Sequence, residues 1–181
     1  MTTQALDAWR QQLRPAAAGL VLAVLTLLYG HGLGIVFGIN EDSLKQRLKT
    51  SAEAVRDTVY QGDEAAIKAV IEKSWAYMKR AHLHAGGMGT TAIALILLLP
   101  FVGASGWTAR IISLALGAGG LGYSVYWMGA GFRAPGLGST GAAKESLEWL
   151  AMPASIGFVA ATIWMLILLA GVWRTGKSAQ A

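Results

Sequence analysis

Residues 16–38 read AAAGLVLAVLTLLYGHGLGIVFG, and no Asp, Glu, Lys or Arg interrupts them. A bilayer core about 30 Å thick needs roughly 20 apolar residues in one helix. This run is long enough to cross it. It exceeds the h-region of a signal peptide, about 7–15 residues, and its polar lead-in contains Asp7. It ends in GIVFGINED over 34–42 rather than in a small-residue cleavage site. A retained membrane helix is therefore expected.

Three further stretches follow the same pattern. Residues 81–104 include TTAIALILLLP, and residues 152–173 are likewise free of charge. Residues 108–132 are Gly-rich and carry Arg110 close to their start, where a long side chain can reach the headgroups. Charged residues make up 14% of the chain and hydrophobic residues 54%. The charged share is well below the 25% or so of a soluble domain. The expected fold is all-α: a four-span transmembrane helical bundle forming one integral membrane domain over 1–181.

Between the first two spans lies an amphipathic segment. Leu44, Leu48, Val55 and Val59 recur at near-helical spacing after Asp42, a candidate N-cap. Gln61 to Asp63 breaks the pattern, and Ile67, Ile71, Trp75 and Met78 then mark one face of a second helix. No breaker separates that helix from the second span. An extramembrane helical hairpin over about 42–80 is expected. It would be a cap packed on the loop after span three, or a lid or docking face. That third loop, from Arg133 to Pro153, should contain a short amphipathic helix over AAKESLEWLAM. Pro100 is a candidate kink in span two.

The net charge is +5, but the positive charge is not segregated. The first loop carries eight Lys/Arg interleaved with seven Asp/Glu, which excludes a nucleic-acid surface. The short loops place Arg10, Arg14, Arg110, Arg174 and Lys177 on one side, against Arg133 and Lys144 on the other. The positive-inside rule then puts both termini in the cytoplasm, most simply of a bacterial inner membrane. Trp107 and Trp173 fall at interfaces on that side.

Two glycine motifs match G-x-G-x-x-G, at 117–122 and 136–141. Neither follows a strand, so neither is a dinucleotide fingerprint. Small residues that let helices approach closely are the physical reading. Gly30, Gly34 and Gly38 form one stripe, either a packing surface or a floor for a planar ligand. The chain has no cysteine, which removes thiolate sites.

The chemistry concentrates in three histidines: His31, His82 and His84. All lie in or beside a span, near the non-cytoplasmic end of spans one and two. Ionisable groups there are functional candidates because burying them is costly. Imidazole suits iron, copper and zinc. Small residues beside each histidine make room for a porphyrin, so haem b on His31 with His82 or His84 is the leading expectation. Copper or zinc on the same histidines is the alternative. His82 and His84 point about 200° apart on a helix and cannot share one ion. Met88 lies one turn after His84 and is a candidate ligand, and Arg133 is a candidate propionate contact.

Ala81 to Gly89, AHLHAGGMG, resembles the A-H-x-H-x-x-x-x-G helix starts of the heme-copper oxidase catalytic subunit and its small haem-binding relatives. The resemblance covers nine residues and implies a haem-ligand histidine at His82 or His84. The chain is too short for the catalytic subunit and lacks its further histidines, so oxygen reduction is not implied. The expected function is haem binding for electron transfer or for haem or gas sensing. The alternatives are metal handling, or an accessory subunit of a larger membrane complex. The lipid bilayer is the expected partner, with a homodimer also compatible with the glycine stripe.

Overall fold

The computed structural model describes residues 3–178, with the side chains of 5 and 173–178 outside that description. Trp173, Arg174 and Lys177 therefore lie outside the described side chains. The described residues form helices and turns with no strand. Helix α1 spans Thr3–Leu13, and a 3-10 turn over Arg14–Ala16 leads into α2, Ala17–Glu53. Then come α3, Glu64–Leu98; α4, Gly106–Leu137; α5, Thr140–Glu145; and α6, Glu148–Ser178. Four of these helices are long and apolar enough to cross a membrane. Large apolar side chains cover their outer faces, among them Leu28, Ile35, Ile156, Ile163 and Leu166. A contiguous surface of this kind suits lipid, not water.

Helix α4 is the centre of the bundle, with α2, α3 and α6 packed on it. Lipid tails are as apolar as leucine, so the hydrophobic effect does not hold these helices together; close packing does. Glycines permit it. A Cβ on Gly19 of α2 would strike the Ser113 backbone, and one on Gly117 of α4 would strike the Gly19 carbonyl. Gly119 sits against Ala154 and Phe158 of α6, and Gly131 against Ser74 and Met78 of α3. The 117–122 motif is thus a packing surface. The buried hydroxyls of Thr26, Ser74 and Ser124 donate to carbonyls one turn earlier, at 2.7–2.8 Å. None of them is left unpaired in the apolar core.

The first amphipathic segment differs from expectation. Asp42 is not where the new helix starts. The stretch Ala17–Glu53 is two helices meeting at a kink at Asn40, where φ is −123° and ψ 23°, so the second helix begins just before Asp42. The helix then stops at Glu53, so Val55 lies in the turn and Val59 is exposed there. Leu44 and Leu48 are buried with Met78 as expected.

The chain reverses over 54–63. Gln61 (φ 53°) and Gly62 (φ 78°) make the turn, and the Asp63 carboxylate caps α3 by accepting from Ala66 N at 3.0 Å. Asp63→Ala should cost about 1 kcal/mol, read as a lower melting temperature in detergent. Helix α3 runs unbroken into the second span, as the sequence suggests.

The turn packs on the end of α4. Tyr60 is 6% exposed, and its hydroxyl donates to the Pro135 carbonyl at 2.8 Å. Burial raises the Tyr60 pKa above its ordinary 10.0. A raised folded-state pKa contributes stability that is full below pH 10 and is lost as the pH rises through it. Tyr60→Phe removes the bond, should cost about 1 kcal/mol, and should flatten that alkaline loss in a melting series.

Three boundaries also move. Pro100 does not kink a span; α3 ends at Leu98 and Pro100 lies in the turn that follows. Proline cannot continue a helix without losing a hydrogen bond. Helix α4 extends through Arg133 and Pro135 to a left-handed Gly138 at φ 64°. The expected single helix over AAKESLEWLAM is two, because α5 ends at Glu145 and α6 begins at Glu148.

Candidate functional site

Helices α2 and α3 touch where Gly30 meets Ala85 and Gly86, and where Gly89 meets Leu27. A side chain at either glycine would hold the helices apart. This register brings His82 of α3 against the backbone of α2. Its Nδ1 lies 2.8 Å from the Gly30 carbonyl oxygen. A carbonyl only accepts, so Nδ1 carries a proton and donates; in the neutral imidazole that leaves the lone pair on Nε2. The imidazole edge lies against Gly34, where a Cβ would approach Cε1 to 2.9 Å. Phe37 meets the ring edge-on, with centroids 6.3 Å apart, and Trp75 meets Phe37 at 5.1 Å.

His82 lines a groove of about 410 Å³ on the outer side of this seam. Gly34 and Gly38 form its floor, Phe37 and Trp75 a wall, and Lys79 and Glu41 its charged end. Nothing lies within 4 Å of a Cβ added at Gly38, so the groove is open there, whereas the His82 ring covers Gly34. This volume falls in the usual range for ligand sites, about 300–1,000 Å³.

His84 faces a different neighbour. Its ring meets Tyr123 edge-on at 5.0 Å and lies over Trp127 at 6.2 Å. Tyr77 and Tyr126 pack against Trp127, and the Arg80 guanidinium covers it at 5.0 Å. His82 is thus given to the α2 seam and His84 to the α4 seam, as residues two apart on a helix must be. Trp127 Nε1 is the one buried side-chain polar atom without a hydrogen-bond partner among the described residues.

His31 lies on the exposed flank of α2. It sits three residues before Gly34 and seven before Gly38, at the rim of the same surface. The structure does not bring it against His82 or His84. Met88 is half-buried and faces Gly120 of α4. Arg133 is exposed in the last turns of α4 and does not line the His82 groove. No group of three or more His, Cys, Asp or Glu side chains that could hold a metal ion occurs among the described residues.

Sequence reading singled out His82 and Trp75 but missed Phe37 and Lys79. Lys79 stands one turn after Trp75, so the same helical spacing carried the signal. It was absorbed into the alternating charges of the amphipathic segment. No protein-family model, no curated protein and no solved structure matches the chain.

Proposed function

We propose that the chain is a small integral membrane protein that binds haem b, with His82 Nε2 as the axial ligand. The observation that supports this best is the Nδ1 bond to Gly30 O beside an open, glycine-floored groove. A backbone carbonyl on the far nitrogen orients an imidazole and raises its basicity as a ligand. A porphyrin brings four nitrogen donors of its own and needs one or two from the protein. Copper or zinc held by protein alone needs three or four, and no such group converges among the described residues. The open surface at Gly38, beside His82, suits one edge of a flat macrocycle, and the Lys79 ammonium suits a propionate.

When bound, haem iron supplies reversible electron uptake and gas ligation. The protein's part is to orient one imidazole, shield one porphyrin edge with Phe37 and Trp75, and hold a carboxylate with Lys79. Only one imidazole is anchored at this groove, and His31 stands apart. With His82 the one histidine anchored at this groove, the reading favours gas or haem sensing over a bis-histidine electron carrier. In this reading both termini are cytoplasmic and the α2–α3 turn stands outside a bacterial inner membrane. The groove then lies near the non-cytoplasmic face.

The test is haem content by the pyridine haemochrome assay, with metal analysis on the same detergent-purified sample from haem-supplied cells. About one haem per chain is expected. Stoichiometric copper or zinc without haem would transfer the histidines to metal handling. A sample with neither would leave the accessory-subunit reading.

A further inference from the structure

A second pocket, of about 260 Å³, is lined by residues of α4, α5 and α6. Tyr126 of α4, Lys144 and Glu145 of α5, and Glu148, Ala151 and Met152 of α6 line it. Its charged residues, Lys144, Glu145 and Glu148, are exposed. The ion pairs among the described residues lie elsewhere, and Lys144, Glu145 and Glu148 join none of them. This holds even though Lys144 and Glu148 stand one helical turn apart in number. Tyr126 is 7% exposed, and its hydroxyl makes no hydrogen bond among the described residues. The hydroxyl oxygen is not among the buried unpartnered atoms, so it reaches accessible space. The pocket also sits at a border. Its charged residues precede an apolar stretch of α6 in which Met152 and Ile156 are 50% and 58% exposed.

A ligand matching these features has a cation, an anion and an apolar continuation. We infer that the pocket holds the headgroup of a zwitterionic aminophospholipid. The primary ammonium has three N–H donors for the Glu145 and Glu148 carboxylates and the Tyr126 hydroxyl. The phosphate is matched by Lys144, and the acyl chains continue over Met152 and Ile156. The apolar continuation assigns the pocket to a lipid instead of a soluble phosphoamine. The assignment is independent of haem at His82.

The test is native mass spectrometry of the full chain, released from micelles containing equal phosphatidylethanolamine and phosphatidylglycerol. Retention of phosphatidylethanolamine at least fivefold over phosphatidylglycerol is expected. In Glu145→Gln/Glu148→Gln the ratio should fall to near one, with gel filtration and haem content unchanged. Lys144→Gln serves as a second variant, and it should weaken phosphatidylethanolamine retention with both carboxylates intact. Equal retention by the unaltered chain would overturn the assignment, as would a preference that survives the double substitution. Displacement of the lipid by micromolar phosphoethanolamine would assign the pocket to a soluble ligand and also overturn it.

Discussion

Gly117→Leu should dismantle the bundle. The Gly117 position meets the Gly19 carbonyl and Leu22, and Gly19 in turn meets the Ser113 backbone. Both obstacles include main chain, so no rotamer change relieves the clash. Overpacking a core typically costs 1–3 kcal/mol, and occasionally more. Here the whole α2–α4 crossing must open, so the upper end or beyond is expected. Gel filtration in detergent should show loss of the monodisperse peak, and the melting temperature should fall by ten degrees or more. Gly87→Ala is the control: nothing lies within 4 Å of its added Cβ, and it should leave the bundle intact and, by helix propensity, stabilise it by up to about 1 kcal/mol. A Gly117→Leu protein that melts like the parent would show that α2 and α4 do not cross at this point.

His82→Ala should remove bound haem, lowering occupancy at least tenfold, while His31→Ala and His84→Ala retain it. The difference follows from the seams. His82 alone is oriented by a carbonyl beside an open groove. His84 is engaged by Tyr123 and Trp127, so its loss should appear as about 0.5–1.5 kcal/mol of stability, not as lost cofactor. Exogenous imidazole should restore colour to His82→Ala, because the substitution leaves a hole beside Gly34. Rescue separates a lost ligand from a lost fold. Haem loss in His84→Ala with retention in His82→Ala would move the ligand to the α4 seam.

The membrane bundle was legible because uninterrupted apolar length is a one-dimensional property. The continuous helix from Glu64 into the second span was legible for the same reason, since no breaker intervenes. The new helix near Asp42 was legible to within two residues, because a polar residue ahead of an apolar period marks a break only approximately. The backbone places that break at Asn40, which leaves helical geometry. The histidines show a subtler limit. The i to i+2 spacing correctly separated His82 from His84, but not which neighbour each would meet. That depends on the rotation of α2, which its buried small residues Gly19, Ala23, Thr26 and Gly30 determine. The Gly30–Gly34–Gly38 stripe drew attention first. Only Gly30 of those three is buried in the helix contact, while Gly34 backs an imidazole and Gly38 is open. His31 lies one residue, about 100°, off the buried stripe and so faces outward.

The most direct measurement is the absorption spectrum of the purified protein, oxidised and dithionite-reduced, before and after carbon monoxide. A haem on His82 with an exchangeable sixth position predicts a Soret band that sharpens and shifts when carbon monoxide is added to the reduced form. His82→Ala should lack that band. A colourless protein from haem-supplied cells would contradict haem binding itself. A reduced spectrum with sharp α and β bands, unmoved by carbon monoxide, would contradict the one-imidazole site and require a second protein ligand on the iron.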